Sequence, residues 1–471
     1  MKRLLFRPWS WLVLWLLSPA AMAADLDGST LSLLWTAPFL GILLSIALFP
    51  VMAPQVWHHH FGKITAGWTL LFLLPFALVY GIGTTGGLVS HALVTEYIPF
   101  IILLFALYTI SGGILITGNL HGSAALNTKI LAVGTLLASL MGTTGAAMLL
   151  IRPLLRANDN RRHQVHVVVF FIFLVANVGG GLTPLGDPPL FLGFLKGVDF
   201  MWTVQHMAVP VFMTSVILLG LFYLLDRHFF TREEGHLLRD PTPDTASWGI
   251  QGTRNFWLLG GVVAAVLLSG VWKPGISLNL LGTPVELQNL VRDSLLVGLA
   301  LMSLVMTPKP VRQGNEFDWG PILEVAKLFA GIFVTIAPAI AILRAGEAGA
   351  LASVVHTVST PEGVPINPMY FWMTGLLSSV LDNAPTYLVF FNLAAGDAQT
   401  LMHQLPDTLL AISMGAVFMG AVTYVGNAPN FMVKAIAEQR GVPMPSFFGY
   451  LLWSLACLLP LFALQTVIFF T

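Results

Sequence analysis

The sequence predicts an all-α polytopic membrane protein built as an inverted repeat of two halves. Three observations lead to this fold class: the composition, a series of long apolar segments, and polar motifs that recur in both halves. Of the 471 residues, 56% are hydrophobic and only 9% are charged, whereas soluble domains carry about 25% charged residues. Basic and acidic residues both number 22, so no basic surplus favours a nucleic-acid partner. A single cysteine excludes a disulfide framework.

The first 23 residues have the pattern of a signal peptide. Lys2, Arg3 and Arg7 precede the apolar stretch WLVLWLL, and AMA at positions 21–23 matches a cleavage site. The apolar stretch is short for a membrane span, which needs about 20 residues. We expect residues 1–23 to be cleaved, so that the mature chain begins on the periplasmic side of a bacterial inner membrane. The alternative is a first membrane helix with the same charges.

Hydropathy predicts twelve apolar segments in the rest of the chain. They lie near 30–52, 64–83, 97–118, 129–151, 165–195, 205–225, 255–272, 289–306, 321–343, 369–393, 407–438 and 447–470. The fourth, fifth, tenth and eleventh segments contain Gly, Pro, Asn or Asp at mid-depth. These four segments are therefore expected to be broken helices or re-entrant hairpins.

The distribution of Lys and Arg decides between hairpins and full crossings. If 129–155 and 369–395 are hairpins, only Lys196, Lys273, Arg292 and Arg344 lie outside, whereas full crossings would put most basic residues outside. The hairpin topology therefore predicts two halves, each with about five crossings, one hairpin and one broken helix.

The halves are expected at 24–225 and 255–471, joined by a cytoplasmic linker at 226–254. Because five crossings is an odd number, the second half is inserted upside down relative to the first. Both ends of the mature chain are then expected to be periplasmic.

Polar motifs support the repeat. Thr144 precedes Asp187 by 43 residues, and Asp382 precedes Asn427 by 45 residues. The motif GDPP around Asp187 matches GNAP around Asn427. Inverted repeats with discontinuous helices are typical of secondary transporters, which bind their substrates near the middle of the membrane.

Asp187 and Asp382 are the candidate ion-binding residues, because an ionisable group inside a bilayer is costly and usually functional. A carboxylate beside unwound carbonyl groups suits Na⁺, for which both are candidate metal ligands, or an exchanging proton. The alternative is that each aspartate only caps a half-helix. Neutral polar side chains could complete the site: Thr143, Thr144, Asn177, Thr183, Asn383, Thr386, Thr423, Asn427 and Asn430.

Four stretches carry a resemblance to a known family: GTTGAAMLLIRP, NVGGGLTPLGDPPLFLG, SSVLDNAPTYLVF and YVGNAPNFMVKAIAE. Over nearly the whole mature length the chain resembles the ion transporter superfamily. Within this superfamily, its GDPP and DNAPT motifs resemble those of the NhaD-type sodium/proton antiporters and the related citrate transporters. The resemblance implies hairpin tips at 143–145 and 382–386, unwound spans at 179–189 and 426–430, a homodimer, and elevator-like movement. Neither hairpin has the Ser-Asn-Thr signature of the dicarboxylate carriers.

These features favour a sodium (or lithium)/proton antiporter, in which Asp382 and Asp187 bind a cation and a proton alternately. The alternative is a symporter that couples citrate or another organic anion to cations. The expected partners are small ions, the lipid bilayer and a second copy of the chain, with no cofactor other than the transported Na⁺ or Li⁺ and H⁺. A membrane-embedded enzyme is a remote alternative, because the sequence contains neither an H-E-x-x-H motif nor a recognisable nucleophile–base pair.

Overall fold

A computed structural model describes residues 26–233, 242 and 248–471, so the expected signal peptide at 1–23 lies outside the described residues. Within these ranges, nine helices are long and apolar enough to cross a membrane. They become ten if Gly320–Thr335 and Ala337–Arg344, bent by 41°, form one span. Strands are confined there to two short antiparallel pairs. The structure therefore confirms an all-α polytopic membrane fold.

The first half contains eight helices and one short strand. They are α1 (Ala37–Met52), α2 (Pro54–Tyr80), α3 (Ile82–Ser111), β1 (Leu115–Thr117), α4 (Ala124–Met141), α5 (Thr143–Ala157), α6 (Val165–Leu174), α7 (Pro188–Leu195) and α8 (Phe200–Glu233). Helix α3 includes a π-helical stretch, Ala92–Tyr97. Helix α8 continues to Glu233, so the first residues of the segment expected to be a linker are helical. We call the face on which α8 ends the linker face.

The second half contains thirteen helices and three short strands. It comprises β2 (Gly249–Gln251), α9 (Arg254–Val271), β3 (Ser277–Leu280), β4 (Thr283–Glu286), α10 (Leu287–Met306), α11 (Lys309–Gly314), α12 (Gly320–Thr335), α13 (Ala337–Arg344), α14 (Ala352–Val358), α15 (Asn367–Val380), α16 (Asn383–Ala394), α17 (Ala398–His403), α18 (Pro406–Phe418), α19 (Ala428–Gln439), α20 (Phe447–Cys457) and α21 (Leu459–Phe469). Strand β2 pairs with β1, with Leu115 opposite Gln251, and β3 pairs with β4.

Helices α4 and α5 form hairpin 1, which opens on the linker face. The chain reverses at Gly142, whose φ of +79° is a conformation that favours glycine. At the open end, the Gly122 N–H donates to Ala157 O at 2.5 Å. The side chains of Asn127 and Asn158 exchange two hydrogen bonds of 2.8 and 2.9 Å. The chain thus returns to the face from which it entered.

Helices α15 and α16 form hairpin 2, which opens on the opposite face. The rings of Tyr370 and Phe390, near its two open ends, have their centroids 6.3 Å apart. Just beyond this hairpin, Met402 Sδ accepts a hydrogen bond of 3.2 Å from the N–H of Asp199, which follows α7. The two hairpins therefore enter from opposite faces, as the predicted inverted repeat requires.

The two broken spans run through the centre of the molecule. Broken span 1 consists of α6, a 3₁₀ turn (Val178–Leu182) and α7, and broken span 2 consists of α18, a 3₁₀ turn (Met419–Val422) and α19. Nearly all of the first is buried, whereas most of α2 is exposed on the outside. Prolines start α7 and α19 within their first two residues, where the missing N–H costs no hydrogen bond.

Matching hydrogen bonds give the register of the repeat. Thr183 Oγ1 donates to Ser139 O, and Thr423 Oγ1 donates to Ser379 O, both at 2.5 Å. The two donors are 240 residues apart in the sequence, and so are the two acceptors. This offset pairs Asp187 with Asn427, as the motifs predict, but it pairs Asp382 with Gly142 rather than with Thr144. The pairing of Thr144 with Asp382 is therefore off by two residues, because the two spacings that suggested it differ by two.

Candidate functional site

The candidate site is built around the carboxylate of Asp187, which is only 2% exposed. Asp187 precedes α7 but makes no capping hydrogen bond to it. Its Oδ1 accepts hydrogen bonds from Thr143 Oγ1 at 3.2 Å and from Asn427 Nδ2 at 3.0 Å, and its Oδ2 accepts one from Asn383 Nδ2 at 2.6 Å. Both hairpin tips and both broken spans thus meet at one carboxylate.

The hairpin tips reach Asp187 because of how they are held. The N–H of Thr143 donates to Gly186 O at 2.9 Å, which fixes the tip of hairpin 1 to the residue before Asp187. Thr143 and Asn383 are the first residues of α5 and α16, so they are equivalent in the repeat. Each side chain donates one hydrogen bond to Asp187.

Asp382 is held differently from Asp187. It caps α16, because its Oδ1 accepts a hydrogen bond of 3.1 Å from the N–H of Ala384. The hydroxyl of Thr386 donates to the backbone oxygen of Asp382 at 2.9 Å. The residue that follows Asp382, Asn383, donates to Asp187, so Asp382 lies one residue along the chain from a direct partner of that carboxylate. The structure thus places Asp382 in the capping role that sequence reasoning left open, beside the central carboxylate.

Three asparagines connect the broken spans. Asn427 Nδ2 also donates to Ala176 O at 3.1 Å and to Asn177 Oδ1 at 3.3 Å. Asn177 Nδ2 in turn donates to Asn430 Oδ1 at 2.8 Å. Along this chain of amides, Asn177 is therefore separated from Asp187 by one residue and Asn430 by two.

The remaining predicted residues do not reach Asp187. Thr183 and Thr423 tie the unwound segments to the backbones of the hairpins, as the register bonds show. Thr144 lies half-buried in the first turn of α5, next to Thr143. Sequence reasoning missed Ser139, whose hydroxyl donates to Gly179 O. The spacing in the sequence could have identified Ser139, because it precedes Thr183 by 44 residues and Ser379 precedes Thr423 by the same number.

A second buried polar cluster, which sequence reasoning also missed, lies at the base of hairpin 1. Arg161 Nη1 pairs with Asp226 Oδ1 at 2.7 Å, and both side chains are fully buried. The same Asp226 oxygen lies 2.8 Å from His166 Nε2, and Asn127 Nδ2 donates to the other at 2.9 Å. The cluster joins hairpin 1, α6 and α8, so it anchors the hairpin away from its tip.

The groups that contact Asp187 are one hydroxyl and two amides, without the thiolate or imidazole ligands that transition metals prefer. In the part of the chain that the structure describes, no group of three or more His, Cys, Asp or Glu side chains could hold a metal ion. The three side chains that donate to Asp187, those of Thr143, Asn383 and Asn427, are all neutral. Asn383 Oδ1 is buried without a hydrogen-bond partner, so it is available to a cation that binds oxygen ligands.

Residues 28–470 match the family described as "Putative citrate transport". A 46 kDa membrane protein of Mycobacterium leprae is 23% identical over 336 residues, covering 70% of this chain and 73% of that protein. An uncharacterized transporter of Synechocystis is 26% identical over 363 residues, covering 72% of this chain and 74% of that protein. An uncharacterized transporter of Mycobacterium bovis is 23% identical over 340 residues, covering 70% of this chain and 73% of that protein. Because the family match spans nearly the whole chain, this protein belongs to that citrate transport family, within the ion transporter superfamily.

Proposed function

We propose that the protein is a sodium (or lithium)/proton antiporter that works by alternating access. The observation that carries the proposal is the buried carboxylate of Asp187, held where both hairpins and both broken spans meet. Among the described residues, no Lys, Arg or His side chain makes an ion pair with Asp187. A carboxylate without a fixed positive partner can be neutralised by a proton or by a bound cation.

Competition for this carboxylate couples the two fluxes. When the site faces one side, Asp187 takes up a proton and releases Na⁺, and when it faces the other side the exchange is reversed. Asp382 adds a second negative charge nearby, which favours cation binding. Inward movement of protons then drives Na⁺ out of the cell.

The movement that exposes the site is proposed to be elevator-like, as the superfamily resemblance implies, in a homodimer. The proposed location is the bacterial inner membrane, with the linker face in the cytoplasm and both ends of the mature chain in the periplasm. Support for this orientation comes from the excess of Lys and Arg on the linker face.

A second candidate function is symport of citrate or another organic anion with cations, which the family description favours. In that case the positive ends of α5, α7, α16 and α19 and the asparagine amides would hold carboxylate groups. The aspartates would bind the coupling cation. The drawback is electrostatic, because Asp187 and Asp382 repel a multiply charged anion until cations neutralise them.

Proton flux in inverted membrane vesicles tests the proposal. Dequenching of a pH-sensitive dye is followed after addition of NaCl, LiCl or KCl, at neutral and alkaline pH. We expect a response to Na⁺ or Li⁺ in the wild type that is lost in Asp187→Asn. The matched control is Asp397→Asn, an exposed residue that caps α17 far from the site.

Asparagine is a conservative replacement at position 187, because the equivalent residue of the second half is already Asn427. Loss of flux in Asp187→Asn with normal amounts of protein in the membrane therefore reports on the charge. If none of the three cations causes proton flux in the wild type, but the protein takes up citrate in a Na⁺-dependent manner, the second candidate function would be established instead.

A further inference from the structure

We propose that Asn177 and Asn430 are positioning residues: they hold the amide of Asn427 turned toward Asp187 and do not bind the transported ion themselves. This inference rests on the proposed role of Asp187 as the ion-binding carboxylate. It divides the polar residues of the site into those that are available to an ion and those whose hydrogen-bonding groups are already occupied.

The chain of amides begins at fixed backbone groups. Asn430 Nδ2 donates to Gly420 O and to Thr423 O, both at 2.9 Å. A carbonyl oxygen only accepts hydrogen bonds, so the nitrogen of the Asn430 amide must face these two groups. Its Oδ1 is therefore directed at Asn177, whose Nδ2 donates to it at 2.8 Å.

The orientation of Asn430 determines those of the next two amides. Asn177 Nδ2 uses its second hydrogen on Ile172 O at 2.8 Å, which leaves Asn177 Oδ1 facing Asn427 at 3.3 Å. Asn427 presents its nitrogen to Asn177, to Ala176 O and to Asp187, three acceptors that share its two hydrogens and agree on its orientation. An amide is nearly symmetric in shape, so partners of this kind decide which end faces a charge.

Neither positioning residue has a donor left for other partners. The side chains of Asn177 and Asn430 are both fully buried. All four of their N–H hydrogens are used within the chain, and each side-chain oxygen already accepts one hydrogen bond. Asn383 differs, because its Oδ1 is buried without a partner. Asn383 therefore offers a cation an oxygen with no hydrogen bond, whereas each oxygen of the positioning pair already has one of its two lone pairs in use.

The repeat offers an independent argument. The offset of 240 residues places Val417 opposite Asn177 and Leu190 opposite Asn430. Each of the two asparagines that support Asn427 therefore has an aliphatic residue at its equivalent position. The two halves also differ at the centre of the site, where Asn427 is the equivalent of Asp187. The amide pair exists once, as the carboxylate exists once, which is expected if the pair serves that carboxylate rather than the fold of each half.

The test uses Asn177→Val and Asn430→Leu, which introduce the residues of the equivalent positions. The readouts are the Na⁺ concentration for half-maximal proton flux and the maximal flux. We expect either variant to raise the half-saturating Na⁺ concentration about threefold to tenfold, in line with a weakened hydrogen bond to a charged group. The maximal flux should change less than this. Either variant is sufficient to test the proposal, so if one of them fails to fold, the other still gives the answer.

A double-mutant cycle separates positioning from a general structural effect. Asn177 and Asn430 are proposed to act through Asn427, so neither replacement should weaken Na⁺ binding further in an Asn427→Ala background. Additive effects, or unchanged half-saturation in both single variants, would overturn the proposal. The matched control is Asn392→Leu, a buried asparagine of hairpin 2 that bonds Leu388 O and Arg344 and should leave half-saturation unchanged.

Infrared difference spectra between acidic and alkaline buffers provide a readout that does not require transport. The carboxyl band that disappears in Asp187→Asn belongs to Asp187, and it should shift in Asn177→Val and Asn430→Leu but not in Asn392→Leu. If the wild type shows no Na⁺-driven flux, the proposed antiport is rejected. The carboxyl band of Asp187 would still test the role of the amide chain. An unshifted band in both variants would reject the positioning role even if antiport is confirmed.

Discussion

The two aspartates of the site are held by different kinds of hydrogen bond. Asp187 accepts only side-chain donors from other elements, whereas Asp382 accepts a backbone N–H of the helix that it caps. A capping residue can be asparagine at little cost, because its side-chain oxygen accepts the same hydrogen bond. The stability and the charge of Asp382 can therefore be separated by choosing the replacement.

We predict that Asp382→Asn keeps the thermal stability of the purified protein but lowers Na⁺-driven proton flux, because it retains the cap and removes the charge. Asp382→Ala should also lose stability, by about 1 kcal/mol, as expected for a lost cap. Thermal unfolding in detergent and flux in vesicles measure the two effects. Wild-type flux in Asp382→Asn would mean that this residue only caps α16 and that Asp187 alone provides the exchanging carboxylate.

At the scale of elements, the unwound segments depend on glycines that face each other. A Cβ atom on Gly186 would lie 2.2 Å from Gly180 O, and one on Gly426 would lie 2.6 Å from Gly420 O. Real Cβ atoms do not approach a backbone oxygen so closely. The loop that carries Asp187 can fold back on Gly180 only while position 186 lacks a side chain, and the equivalent loop before Asn427 has the same requirement at position 426.

We predict that Gly186→Ala destabilises the protein by about 1–3 kcal/mol or more, as expected for overpacking in a filled interior. Gly220→Ala is the matched control, because a Cβ there meets no atom within 4 Å on the surface of α8. In a helix, that replacement should be neutral or stabilising. Thermal unfolding of the two purified variants makes the comparison, and equal stability would show that the loop can relax around the new methyl group.

The sequence predicted these elements better than it predicted their register. Glycines and prolines at mid-depth marked the broken spans, and the placement of Lys and Arg distinguished hairpins from crossings. The pairing of Thr144 with Asp382 was wrong, because it compared spacings and not the hydrogen bonds that define equivalent residues. The continuation of α8 to Glu233 was missed since hydropathy falls at the membrane surface, whereas helical hydrogen bonding continues beyond it.

Within the site, residue types were predictable but residue roles were not. Asp187, Asn427 and the hairpin tips stand out as polar groups in apolar segments. The division between Asn383, which contacts Asp187, and Asn177, which supports Asn427, depends on which end of each amide faces its neighbour. That choice is made by backbone carbonyls such as Gly420 O, which come near only in the folded molecule.

At the scale of the whole molecule, ion pairs connect the elements around Asp187 to the rest of the protein on both faces. On the linker face, Glu316, between α11 and α12, bonds Arg152 of hairpin 1 at 3.2 Å and Arg440, at the end of α19, at 2.7 Å. On the opposite face, Lys196, just after α7, pairs with Glu96 of α3. Movement of the hairpins and broken spans relative to α3 and α12 would have to break these ion pairs.

We predict that removing the ion pairs on the two faces shifts the conformational equilibrium in opposite directions. Each pair stabilises contacts on one face, so Glu316→Gln should favour opening toward the linker face and Lys196→Met opening toward the other. Because Glu316 is half-exposed, the expected shift is at most about fivefold in population. The measurement is the rate at which a membrane-impermeant thiol reagent labels Thr144→Cys from each side, with the native Cys457 replaced by Ser. No shift in either variant would mean that these ion pairs remain closed throughout the transport cycle, and shifts in the same direction would mean that they do not stabilise opposite states.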